Sequence, residues 1–208
     1  MNLLYIEIKK NLITILWIFI ILLGVISLSL YSTKATHSPV IGNLKWPAQS
    51  KLNIVEGKAQ LLMFLHPHCP CSRASVNELE KTLPHINKQF NISAIFIKPN
   101  SRDLNWVKSE LYQKVANIPG VNVAIDENYF ETNLFQATTS GQVLLYNQNL
   151  SKVFSGAITP GRGHEGDSRG KDILIEFANG KLFDSPQILN SYGCSLKDLD
   201  NQANLNDS

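Results

Sequence analysis

The chain has 208 residues, 44% of them hydrophobic and 17% charged, which is enough for one domain with a well-buried core plus an appendage. Its formal charge of +2 comes from 19 basic and 17 acidic residues without long runs of one sign, and this excludes the electrostatic footprint of a nucleic-acid binder. Three cysteines cannot all pair within one chain, so a purely structural disulfide framework is excluded and at least one thiol is left for chemistry, a metal or a partner.

After a short N-terminal segment, residues 1–11, the run from Leu12 to Tyr31 reads LITILWIFIILLGVISLSLY and carries no charge. Twenty helical residues rise about 30 Å, the thickness of a bilayer core, so residues 12–31 are read as a single-pass transmembrane helix or signal anchor. Lys9 and Lys10 precede the run and only Lys34 follows closely. That asymmetry places the N-terminus in the cytoplasm and everything after about Thr33 on the periplasmic or extracytoplasmic side. A cleaved secretory signal is the alternative. Its apolar core is usually shorter and ends in an A-x-A-like site, where SLYSTKATHS offers Ala35 alone. Both readings export the domain.

Residues 32–56, rich in Ser, Thr, Pro, Gly and Asn, read as a linker, with Trp46-Pro47 packing where it meets the domain. The domain is expected over 57–196, and 197–208 reads as a polar C-terminal tail. Within the domain, Gln60 to Leu65 is a continuous apolar run of the kind that forms a central strand covered on both faces. From Pro70 the pattern turns helical, with Pro84 expected to kink or end the helix, and a second strand follows at Ile92 to Ile97. Asp103 is an N-cap candidate for one helix over 104–117, Ile118-Pro119-Gly120 stops it, and Val121 to Ile125 reads as a strand. A short helix is expected within Asn128 to Ala137. Gln142 to Tyr146 and Lys152 to Ser155 flank a turn as a β-hairpin, and a last helix runs from about Ser168 to Ala178, ending at Asn179-Gly180. The order predicts an α/β fold: a central mixed sheet flanked by helices, parallel strands joined by crossovers and an antiparallel hairpin at one edge.

The chemistry-bearing segment is His66-Pro67-His68-Cys69-Pro70-Cys71-Ser72, where a buried strand turns into a helix. With Pro70 as the first helical residue, Cys69 becomes the N-cap. Unpaired amides and the positive end of the helix dipole then favour thiolate over thiol, lowering its pKa and making Cys69 a nucleophile. His68 or His66 is a candidate to favour that thiolate by charge or to take up its proton, against the plainer reading of solvated or packed rings.

This layout resembles the thioredoxin-like superfamily: an apolar strand, a short loop, a cysteine motif, a long helix and a later hairpin. The material between Asp103 and Ala137 looks like the helix–strand–helix insertion of its membrane-anchored branches. HPHCPCSRAS, with Thr138 to Gly141 (TTSG) and Ser155 to Gly170 (SGAITPGRGHEGDSRG), is similar to the small family called RedB. The resemblance implies the fold and a thiol–disulfide oxidoreductase acting through the C-P-C motif on protein or small-molecule thiols or disulfides, with no cofactor. Two features depart from it. The superfamily motif is C-x-x-C, whereas Ser72 stands where the second cysteine would fall, and Gly141 stands where a cis-proline is usual.

Cys69 can form a strained, easily reduced bond with Cys71, two residues on, or be resolved by Cys194 if the C-terminal segment folds back over the site. The glycine-punctuated loop Gly161 to Gly170 can also fold over it, the alternative being a solvent loop that ends in a helix cap at Asp167 or Ser168. One rival reading is a copper-binding chaperone. Cys69, Cys71, His66 and His68, with Cys194 or His164 in reserve, form a ligand set suited to Cu(I) or Zn(II). The other rival is a non-catalytic binding module. A peroxidase is disfavoured because T-x-x-C is absent, both residue 66 and residue 68 being His.

Overall fold

The computed structural model describes residues 2–34 and 42–197. Residues 35–41 of the expected linker and the expected polar tail beyond Lys197 lie outside the described residues. The chain parts after Lys34 into two units.

In the first unit, α1 (Asn2–Thr33) contains a stretch, Lys9–Thr33, long and apolar enough to cross a membrane. Its large apolar side chains from Leu12 to Tyr31 are all exposed, and a helix apolar all round needs lipid or protein about it.

The second unit contains β1 (Ala59–Leu65), α2 (Pro70–Ile86), β2 (Phe90–Lys98), α3 (Leu104–Val107), α4 (Glu110–Ala116), β3 (Val121–Glu127), α5 (Phe130–Phe135), β4 (Gln142–Tyr146), β5 (Lys152–Gly156), α6 (Arg169–Ala178) and β6 (Gln187–Ile188). The sheet order is β3-β2-β1-β4-β5-β6. Strands β1, β2 and β3 run parallel, β4 is antiparallel to both β1 and β5, and β6 is parallel to β5. A β1–α2–β2 unit followed by the β4–β5 hairpin and α6 is a thioredoxin-like fold. Helices α3, α4 and α5 with β3 form the insertion, which extends the sheet on the β2 side.

The unbroken apolar run of β1 follows from its central place. Leu61, Met63 and Leu65 point to one face, where Val76, Leu79 and Leu83 of α2, Leu111 and Val115 of α4, and Ile173 and Leu174 of α6 cover them. Leu62 and Phe64 point to the other, against Phe135, Tyr146 and Leu196, with Trp46 packed on that cluster.

The structure departs from the sequence expectations in four places. The helix expected over 104–117 is two helices, broken at Lys108, because Ser109 caps α4 by accepting the Tyr112 N–H. Helix α2 carries Pro84 in its last turn rather than ending there. Much of the expected linker is a strap on the domain: Trp46 donates its N–H to the Leu150 carbonyl and stacks edge-on to Phe135 and Tyr146, and Lys51 donates its amide to Glu131. Trp46 packs on the domain as expected, and Leu52 of the same segment packs on the same cluster. Finally, two-residue β6 is too short for any alternation of polarity to announce it.

Candidate functional site

Strand β1 ends at Leu65 and three residues bring the chain to Cys69, the N-cap of α2, with φ −89° and ψ 126°. Pro70 fills the first helical position, where its missing N–H costs nothing. The Arg73 N–H accordingly bonds the Cys69 carbonyl. The sulfur sits among the amides that open the helix, and the Ser72 N–H acts on it.

Three sulfurs meet here. Those of Cys69, Cys71 and Cys194 lie within 4.8 Å of one another, and the Cys69 and Cys194 sulfurs are 3.1 Å apart. All three are free thiols, Cys69 and Cys71 buried and Cys194 partly so. Cys71 is in reach because it lies in the first turn of α2; Cys194 arrives from 125 residues away.

The route of that approach is built into the C-terminal segment. After β6, Leu189 donates its N–H to Ser155 and Ala157 donates to Asn190, which continues the pairing along β5. The segment then crosses the loop before β4: Ser140 donates to the Cys194 carbonyl, Leu196 donates to the Thr138 carbonyl, and Thr139 bridges Ser195 antiparallel. Gly193 permits this approach, since a Cβ there would run into the Ser140 carbonyl. Fully buried Leu196 then locks the segment into the core beside Phe64 and Phe135.

The electrostatics separate the three thiols. Cys69 is held well below the ordinary thiol range. The largest cause is its hydrogen bond with the Cys194 thiol, then that with Cys71; burial opposes them, and the Ser72 and Cys194 amides assist. Cys71 is pushed up, first by its hydrogen bonds with Cys194 and Cys69 and then by burial. Cys194 is pushed up first by its bond with Cys69, with Cys71 and the positive charge of Arg162 working the other way. Of the three, Cys69 is the one whose charged form the cluster favours, while Cys71 and Cys194 are pushed the other way.

The two histidines are committed elsewhere. His66 is buried and accepts the His68 amide at Nδ1, 3.1 Å away. Nε2 of exposed His68 lies 2.8 Å from the Trp106 carbonyl, and the Trp106 ring packs on both imidazoles with centroids 5.2 Å away. Neither histidine of the expected Cys69, Cys71, His66 and His68 set falls in the group whose donor atoms lie within 4.8 Å of one another, which is Cys69, Cys71 and Cys194. The histidine interval is short enough to suggest a ligand pair, but the Trp106 carbonyl gives it a different partner. His164, exposed on the glycine loop, is not in the cluster either.

Residues to which the sequence assigns no part in the chemistry complete the site. Ser72 and Ser140, both buried, share a short hydroxyl–hydroxyl bond, and both accept the His66 N–H, tying the motif loop to the loop before β4. Gly141, at φ +86°, donates to the Phe64 carbonyl, and a side chain there would meet the Ser75 hydroxyl. Ser109, at the break between α3 and α4, donates to the Pro67 carbonyl. Beside Cys69, Pro67, His68, Pro70, Arg73, Ser109, Glu110 and Leu111 line an open cavity of about 350 Å³. The glycine loop is pinned to α2, because buried Glu78 accepts from Lys81, Lys171 and the Gly166 N–H while Glu165 accepts from Asn77 and Lys81.

No family model matches the sequence, and no curated protein matches it. Solved structures do. An uncharacterized conserved protein from Geobacillus kaustophilus aligns over 80% of this chain and 91% of its own at 20% identity, with a TM-score of 0.54. A hypothetical protein from Sinorhizobium meliloti 1021 aligns over 68% of this chain and 80% of its own at 18% identity, with a TM-score of 0.53. A secreted disulfide oxidoreductase from Mycobacterium tuberculosis aligns over 61% and 84% at 14% identity, with a TM-score of 0.43. At these identities the first two likenesses are likenesses of fold.

Proposed function

We propose that the chain is a thiol–disulfide oxidoreductase, anchored through α1 and working on protein or small-molecule thiols and disulfides on the periplasmic or extracytoplasmic side. The observation that carries this reading is the 3.1 Å approach of the Cys69 and Cys194 sulfurs at the N-terminus of α2.

In the oxidising direction for the chain, the Cys69 thiolate attacks one sulfur of a partner disulfide, forming a mixed disulfide and releasing the other sulfur as a thiolate that takes a proton. Cys194 then loses its proton and attacks the Cys69 sulfur, forming the Cys69–Cys194 bond and releasing the second partner thiol. Two electrons pass from the chain's two thiols to the partner. Run backwards, the same steps oxidise a dithiol partner. Cys71 supports the Cys69 thiolate as a hydrogen-bond donor, the cavity beside Cys69 receives the partner, and His66 and His68 hold the loop that presents Cys69. The reaction needs no cofactor.

The test is a trapping experiment. Cys194→Ser in membranes should accumulate a mixed disulfide through Cys69 that Cys69→Ser abolishes, while the wild type equilibrates with glutathione between two thiol states. Absence of any Cys69-dependent adduct, with no change of thiol state across a glutathione titration, removes the reading.

A further inference from the structure

We infer that Cys69, Cys71 and Cys194 form an all-sulfur, three-coordinate site for Cu(I), which the chain holds only when these cysteines are reduced.

Metal–thiolate bonds near 2.3 Å in a plane place sulfurs about 4.0 Å apart. The three sulfurs already lie within 4.8 Å of one another, so small side-chain rotations complete that triangle without moving the backbone. Backbone order favours it too. Cys69 and Cys71 are fixed by the first turn of α2, and Cys194 is fixed by its pairing with Ser140 and by buried Leu196.

The donor set selects the ion. Thiolates are soft ligands suited to Cu(I), whereas Zn(II) takes a fourth ligand in a tetrahedron. Among the described residues no histidine or carboxylate joins the three sulfurs within the same reach. Cys69 and Cys71 are buried, at 5% and 9% exposure, and Cys194 is partly buried, which limits water at the ion and favours low coordination. Three thiolates around Cu(I) leave a net charge of −2. The amides at the start of α2 and the Arg162 charge acting on Cys194 face that excess.

Copper binding and thiol exchange then exclude each other. When a partner disulfide oxidises Cys69 and Cys194 to a disulfide and is itself reduced to two thiols, two of the three anionic donors are lost and Cu(I) leaves. The inference does not rest on the exchange reading, because the site is assembled in the reduced chain with no partner present.

The experiment uses the full chain, reduced and anaerobic in detergent, titrated with Cu(I) against a chromophoric Cu(I) chelator. One Cu(I) per chain is expected, and X-ray absorption should show sulfur scatterers without nitrogen. Cys71→Ser and Cys194→Ser should each weaken binding at least about tenfold, His68→Ala should leave it within about twofold, and prior oxidation should abolish it. Failure to compete with the chelator, nitrogen in the coordination shell, or wild-type affinity in both cysteine variants overturns the proposal. Because no thiol substrate is present, none of these results alters the trapping outcome.

Discussion

The Cys69 sulfur lies 3.1 Å from that of Cys194, and the hydrogen bond between them is the largest cause of the lowered Cys69 pKa. A residue near the end of the described chain therefore sets the acidity of a thiol at the head of α2. In metal-free, reduced protein, alkylation of Cys69 by iodoacetamide should be nearly independent of pH from about 6 to 8, since a thiol of ordinary pKa near 8.5 would gain rate roughly tenfold per unit there. Cys194→Ala should restore much of that slope. A steep profile in the wild type contradicts the assignment of Cys69 as thiolate.

The C-terminal crossing depends on Gly193 and Leu196. Gly193→Ala forces a methyl group into the Ser140 carbonyl, which is backbone and cannot swing aside. Leu196→Ala empties a fully buried site and should cost about 2–5 kcal/mol. Both variants should lose the coupling between Cys69 and Cys194, read as a slower, more pH-dependent alkylation of Cys69. Retention of wild-type reactivity in both would show that the segment is not held by these contacts.

Ser72 and Ser140 join the motif loop to the loop before β4 with their hydroxyls and take up the His66 N–H. Removing one hydroxyl strands a buried partner. Ser140→Ala should lower stability by about 1–3 kcal/mol in denaturant melts of the full chain in detergent. Ser72→Ala should do likewise, and the double variant should cost less than the sum because the two share one network.

Glu78 ties the glycine loop to α2 through Lys81, Lys171 and the Gly166 amide. Burial works to raise its pKa, but these three partners outweigh it and hold the carboxyl below its usual range. A carboxylate with a depressed folded pKa contributes stability that is present above the unfolded value, near 4.3, and is lost as pH falls through the folded value. Glu78→Gln should therefore cost on the order of 2 kcal/mol at pH 7, and the gap to wild type should close in acid. A gap independent of pH would rule out the charge as its source.

Local features of the fold were legible in the chain, and distant meetings were not. The apolar run before His66, Pro70 at the head of a helical pattern, Asp103 as an N-cap and the hairpin around Asn147 all express rules that act within a few residues, and the structure bears them out, although the helix that Asp103 caps breaks at Lys108. Cys69 and Cys71 were legible for the same reason. Cys194 is nameable only as a candidate, because its position comes from the Ser140 and Thr138 backbone and from Leu196 entering a core whose other buried members lie fifty or more residues away. The commitments of the histidines were hidden likewise: Trp106 and Ser109 reach the motif loop because the helix breaks at Lys108, and a serine cap inside a helical pattern carries little signal. Residues 42–56 read as a linker by composition, although Trp46 anchors them to the domain.

The most direct test of the account is differential alkylation with peptide mapping by mass spectrometry, applied to the three cysteines in native membranes before and after mild oxidation. The oxidised form should carry a Cys69–Cys194 bond with Cys71 left as a free thiol, and mild reductant should return all three to thiols. A Cys69–Cys71 bond with Cys194 free, or three thiols that never change state, would contradict it.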